Sequence, residues 1–106
     1  MRLVILETPY AGDIIKNTYF ARCCLRDCLA RGEAPIASHL LYTQPGVLED
    51  DRPEERALGI AAGIEWYRVA EACVVYNNLG ISKGMWEGIK RALDRNIPIE
   101  YRLLKV

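Results

Sequence analysis

With 106 residues the chain has the size of one domain, too short for two, and it can bury roughly two-thirds of its unfolded surface. Lys plus Arg number 14 and Asp plus Glu number 14, so no net field gathers a nucleic-acid polymer or an anionic membrane. The longest aliphatic run, Leu3 to Leu6, is too short to cross a bilayer, and Glu7 directly after it breaks a secretory-signal pattern, so a soluble cytoplasmic protein is expected.

In chain order, Arg2 to Leu6 is a β-branched and aliphatic run that stops at Glu7-Thr8-Pro9, the pattern of a strand buried on both faces. The loop Tyr10-Ala11-Gly12-Asp13 leads to a helix with an apolar stripe at Ala21, Cys24, Leu25, Cys28 and Leu29, capped at Asn17 and closed by Gly32. Ala34 to His39 reads as a second strand; the polar stretch with Pro45-Gly46 and Glu49-Asp50-Asp51 continues neither element. Asp51 and Glu54 have capping-box spacing, Pro53 suits a first turn, and Ile60, Ile64 and Tyr67 mark a second helix running to about Glu71. Cys73 to Tyr76 is a third strand. Asn77-Asn78-Leu79-Gly80 is turn chemistry before Ser82, which caps a third helix with Met85, Ile89, Ala92 and Leu93 on its buried face. Asn96 and Pro98 end that helix, and Ile99 to Leu103 is the last strand.

Strand and helix alternate throughout, which calls for a single small doubly wound α/β domain: a parallel sheet with right-handed crossovers and helices on both faces. Three of the four cysteines (Cys23, Cys24, Cys28) crowd one helix and Cys73 lies in an apolar run, as expected of buried reduced thiols. Cys24 and Cys28 have only His39 as a partner of similar softness, so neither a metal nor a cofactor is expected.

Ligands of such sheets bind beyond the carboxyl ends of the strands, where the strand order reverses. That selects Glu7 to Asp13, His39 to Gln44 and Asn77 to Gly84. Tyr10, His39, Tyr42, Asn78 and Ser82 supply aromatic or hydrogen-bonding groups there, and Gly12, Gly80 and Gly84 let backbone approach a ligand.

Three stretches resemble the nucleoside 2-deoxyribosyltransferase-like superfamily: T-P-Y-A-G-D at 8 to 13, A-P-I-A-S-H-L-L-Y-T-Q at 34 to 44 and L-G-I-S-K-G-M-W-E-G-I at 79 to 89. With P-E-E-R-A-L-G-I at 53 to 60 the resemblance covers nearly the whole chain, and it is nearest to a small bacterial and phage branch with S-H-L-L-Y-T-Q and G-I-S-x-G-M signatures. The resemblance implies a flavodoxin-like strand order of 2-1-3-4 and, since family members commonly assemble, a homo-oligomer; Trp66 and Trp86, which lie on helices rather than in the strand-end loops, are expected to bury their rings in the core or between subunits.

It also implies a site. Family members cleave or exchange N-glycosidic bonds with a glutamate near the start of the helix after the third strand. Their motif, roughly G-M-x-x-E-I-x-x-A, aligns on Gly84, Met85, Ile89 and Ala92, which puts Gly88 where the nucleophile belongs. Glu87 is one residue early, a displacement of about 100° and about 1.5 Å on a helix. Asn78 stands where relatives tend to carry aspartate. The expectation is therefore a protein that binds a small nucleotide-like ligand, as a sensor or sponge, without turning it over by the family route. Ser82, Lys83 and Gly84 at a helix start suit a phosphate and Tyr10 a base or sugar; Asp13 suits ribose hydroxyls or a cap of the following turn, and His39 a titrating or phosphate-donating role or a structural hydrogen bond to backbone. The alternative is an N-glycosidase or transferase with Glu87, or another acid such as Glu7 or Asp13, in a shifted geometry.

Overall fold

The computed structural model describes residues 1–105. Arg2–Glu7 (β1), Glu33–Ile36 (β2), Ala72–Tyr76 (β3) and Ile99–Arg102 (β4) form one sheet, ordered β2-β1-β3-β4. Every pairing is parallel. The strand order reverses between β1 and β3, the two central strands. The helices are Ile14–Ala30 (α1), Ser38–Leu41 (α2), Pro53–Glu65 (α3) and Lys83–Asp94 (α4), and a 3-10 turn at Trp66–Arg68 follows α3.

Alternation along β1 divides the core. Val4 and Leu6 face α1, where they pack with Cys24, Cys28, Val74 and Tyr76. Ile5 points the other way, into Tyr67, Cys73, Val75, Met85 and Ile89. Leu6 and Ile5 thus serve opposite layers, and Glu7, the last residue of β1, follows Ile5 onto the α4 side. All five residues of β3 are buried, as a central parallel strand requires. Edge strand β2 accommodates Pro35 opposite Val4, where no further strand needs its missing N–H.

The local chemistry departs from expectation at several points. α1 starts at Ile14, three residues before Asn17, because Asp13 is the cap and accepts from the Lys16 N–H at 3.1 Å. Asn17 turns inward instead, and its Nδ2 donates to the carbonyls of Tyr10 at 3.0 Å and Ala11 at 3.1 Å, pinning the first loop. β2 ends at Ile36, and His39 sits in the short helix α2 rather than at a strand end. α3 begins after Arg52 with no side-chain cap, so the Asp51 capping box is not made; Glu55 instead accepts from the Glu49 N–H at 2.9 Å. The helix stops at Glu65 and tightens into the 3-10 turn, short of Glu71.

Several residues expected in the core are exposed, among them Leu3 at 43% near the start of β1, Leu29 at 54% and Leu93 at 57%. On α4 the inward row is Met85, Gly88, Ile89 and Ala92, so a glycine takes a place that the pattern assigned to a leucine. The Ser82 cap is made as expected, its Oγ accepting from the Met85 N–H at 3.2 Å. Trp66 and Trp86 are 39% and 48% exposed, so neither ring is buried within the chain.

Opposite the α4 layer, a charged network bridges the two edge strands. Arg102 on β4 donates to Glu33 on β2 at 2.8 Å and 2.7 Å and to Glu100 at 2.8 Å, and Arg2 also reaches both acids. Two arginines hold the buried Glu33 carboxyl down at about 2, the hydrogen bond from Arg102 being the larger cause.

Candidate functional site

A cleft of about 450 Å³ opens at the carboxyl end of β1, between α3 and α4. Its floor is Ile5, Leu6, Glu7 and Thr8; Tyr10 and His39 stand at one side, and Ser82, Lys83, Gly84, Glu87 and Arg91 of the α4 segment at the other. α3 contributes Arg56, Gly59, Ile60, Gly63 and Ile64. Arg56 lies 3.6 Å from Asp50, which also borders the cleft.

α3 comes close enough to form this wall because its inward positions are glycines. A Cβ at Gly63 would lie 2.9 Å from the Ser38 Cβ, and one at Gly59 would lie 3.3 Å from Leu48 Cδ1. The helix therefore rests directly on α2 and the following loop, and α2 in turn presents His39. The His39 Nε2 is 3.2 Å from Thr8 Oγ1, and its ring centroid is 5.4 Å from that of Tyr10. Burial pushes the imidazole down to about 4, so His39 is neutral at pH 7 and does not titrate near neutrality. Its ring is a fixed polar wall.

The start of α4 offers a different chemistry. Ser82 is occupied as the cap, its own N–H directed to Met85 Sδ at 3.4 Å, while the N–H groups of Lys83 and Gly84 belong to the unpaired first turn. No atom lies within 4 Å of where a Cβ at Gly84 would be, so backbone is open to the cleft there.

Glu7 is the most perturbed acid of the site. The Tyr67 hydroxyl donates to its Oε2 at 3.1 Å and also lies 3.3 Å from the Gly88 carbonyl oxygen. Burial outweighs that hydrogen bond and the more distant cation of Arg91, raising the carboxyl to about 7. Among the described residues no donor reaches Oε1, and that oxygen is not sealed from solvent.

Six of the expected residues are brought together: Tyr10, His39, Ser82, Lys83, Gly84 and Glu87 border the cleft. Glu87 is among the bordering residues, which keeps the shifted-carboxylate alternative open. Asp13 borders only a shallower neighbouring depression with Lys16, Asn17 and Gly80, where its carboxylate is engaged as the α1 cap. Three residues lie elsewhere. Gly12 shapes the first loop at φ +103°, and the Tyr42 hydroxyl accepts from Trp66 Nε1 at 2.8 Å. Asn78 clamps the chain after β4 by exchanging hydrogen bonds of 2.9 Å and 2.8 Å with the Leu104 backbone. Sequence reasoning missed Arg56, Tyr67 and Arg91; Glu7 and Thr8 fall inside the selected strand-end segment Glu7 to Asp13, but Thr8 has no role assigned there and Glu7 only that of an alternative acid. The signals for Glu7 were a carboxylate ending an apolar strand and its place at the carboxyl end of that strand.

Residues 2–102 match the model of a family described as a domain of unknown function, DUF7768. The chain belongs to that family. No curated protein matches it. In this DUF7768 chain the matched residues take in all four strands and every residue bordering the cleft. Among the described residues no group of three or more His, Cys, Asp or Glu is placed to hold a metal ion, and no helix is long and apolar enough to cross a membrane. The four cysteines are free, and burial pushes the Cys24 and Cys73 thiols up to about 12.

Proposed function

We propose that the cleft binds a small nucleotide or nucleoside derivative and that the protein acts as a sensor or sponge for it. The observation that carries this reading is the position of the cleft, at the reversal of strand order between β1 and β3, with an open helix start on one side and the Tyr10–His39 pair on the other. A phosphate suits the Lys83 and Gly84 amides and the Lys83 side chain; a ring suits the Tyr10 face. The resemblance of the Thr8–Asp13 and Leu79–Ile89 stretches to the deoxyribosyltransferase-like superfamily supports the same ligand class. Gly88 leaves that superfamily's nucleophile position without a carboxylate of its own.

A second reading has one observation in its favour. Glu87 borders the cleft, so an N-glycosidase with Glu87 as a shifted nucleophile is geometrically admissible. Incubation with deoxynucleosides, their monophosphates and NAD, followed by chromatography for free base, separates the two. Ligand binding without base release supports the binding protein, whereas base release that Glu87→Ala abolishes establishes the enzyme.

The binding reading is tested by a thermal-shift panel of nucleosides, nucleoside mono-, di- and triphosphates and inorganic phosphate. A ligand at 100 times its dissociation constant stabilises by about 2.7 kcal/mol, a shift of several degrees for a domain of this size. A panel in which no member raises the midpoint contradicts the reading.

A further inference from the structure

Position 88 and the Glu7 carboxyl compete for the same volume. A Cβ built on Gly88 would collide with that group, its carboxyl carbon only 2.5 Å away. No other glycine of the chain would meet a charged group. The absence of a side chain on α4 is thus matched by a carboxyl delivered to the same spot from β1. Tyr67 fixes its orientation by donating to Oε2, and Oε1, on a residue that borders the cleft, is left without a donor among the described residues and open to solvent.

A purely structural carboxyl would be expected to end in an ion pair, as Glu33 does with Arg2 and Arg102. Glu7 has none. Every element packed around it contributes something other than a neutralising contact: Tyr67 a neutral hydroxyl, β3 the protonated thiol of Cys73, α4 the more distant Arg91 and the Glu87 carboxyl, and the His39 wall a neutral imidazole. A mostly desolvated carboxyl without a counter-ion is costly to ionise, and an oxygen with no donor from the chain but open to solvent can take its donor from a ligand in the cleft.

We propose that Glu7 is the ligand-recognising carboxyl of the cleft, its Oε1 accepting a hydrogen bond from a sugar hydroxyl or ring N–H of the ligand, and that Gly88 is the space this carboxyl requires. The inference rests on the nucleotide reading above and adds the ligand's orientation. The open amides of Lys83 and Gly84 precede Gly88 by about one helical turn, or about 6 Å. An anionic end at the start of α4 therefore places the donor-bearing sugar or base end over Glu7. Because the donor stabilises the ionised carboxylate, binding expels a proton when the free group is partly protonated, and affinity rises with pH through about 7.

The test is isothermal titration of the whole chain with a panel of nucleoside 5′-monophosphates at pH 6, 7 and 8, each in two buffers of different ionisation enthalpy. The wild type is expected to release a proton on binding at pH 6 and to bind about tenfold more tightly at pH 8 than at pH 6, beyond the change that Glu7→Gln shows over the same range. Glu7→Gln is expected to bind at least tenfold more weakly at pH 8. Glu7→Asp, which withdraws the carboxyl from Gly88 by one methylene, gives the same loss and serves if the glutamine variant does not fold. Equal affinities and pH profiles for wild type and variants overturn the role of Glu7 while leaving the nucleotide reading intact. No binding of any member to the wild type overturns both.

Discussion

The Tyr67 hydroxyl lies 3.1 Å from Glu7 Oε2, so one hydrogen bond ties the end of the first strand to the turn that follows α3. That bond is the only one Glu7 receives among the described side chains, and it favours the ionised form. Tyr67→Phe removes it. The Glu7 carboxyl then titrates above its present value of about 7, readable by carbon-detected NMR, and stability falls by about 1 kcal/mol in denaturant unfolding. An unchanged titration would mean that the tyrosine does not control this carboxyl.

Glu7 and His39 give opposite pH dependences. Glu7 is raised from 4.5 to about 7, so the native state holds its proton more tightly than the unfolded chain. Its contribution is full below pH 4.5 and is lost as pH rises toward 7, by about 3 kcal/mol at 1.36 kcal/mol per unit. His39 is lowered from 6.5 to about 4, so its contribution is full above pH 6.5 and is lost as pH falls toward 4. Between pH 4.5 and 6.5 the two slopes offset. Glu7→Gln unmasks the histidine: the variant gains stability over wild type at pH 8 and loses it more steeply below pH 6.5, a difference that thermal scans across the range measure directly.

The edge-strand network predicts a large loss from a single amide. Glu33→Gln leaves Arg102, whose side chain is 8% exposed, without its principal counter-ion. Breaking such a pair from one side costs about 3 kcal/mol or more. Urea unfolding should register it, with ligand binding in the folded fraction preserved because none of these residues borders the cleft.

Gly63 and Gly84 separate packing from access. Gly63→Ala drives a methyl into Ser38 and should destabilise by about 1–3 kcal/mol, loosening the wall that α3 makes. Gly84→Ala enters open space and should keep the fold. Its cost should appear instead as weaker binding, since the methyl stands beside the amide offered to an anion.

What the sequence made legible follows the range of the interactions. The alternation of elements and the Ser82 cap depend on residues close in the chain, and both are found, together with the parallel order β2-β1-β3-β4. Asn17 misled because a polar residue near a helix start resembles a cap, whereas its side chain is used to hold the carbonyls of Tyr10 and Ala11. Asn78 misled for a similar reason: it occupies a βα turn, but its amide is taken up by Leu104. The Glu7 environment was hidden because its donor, Tyr67, is 60 residues away and its space is created by a glycine on another helix. Nor does any local pattern announce the Glu33–Arg102 pair, whose members are 69 residues apart.

The most direct test of the account is an amide-resolved NMR titration of the ¹⁵N-labelled chain with the tightest-binding nucleotide of the panel, inorganic phosphate serving as the control. Perturbations at Lys83 and Gly84 with both ligands, extending to Glu7, Thr8 and Gly88 only with the nucleotide, are the expected result. Perturbations that avoid these residues, or spectra that no nucleotide changes, would contradict it.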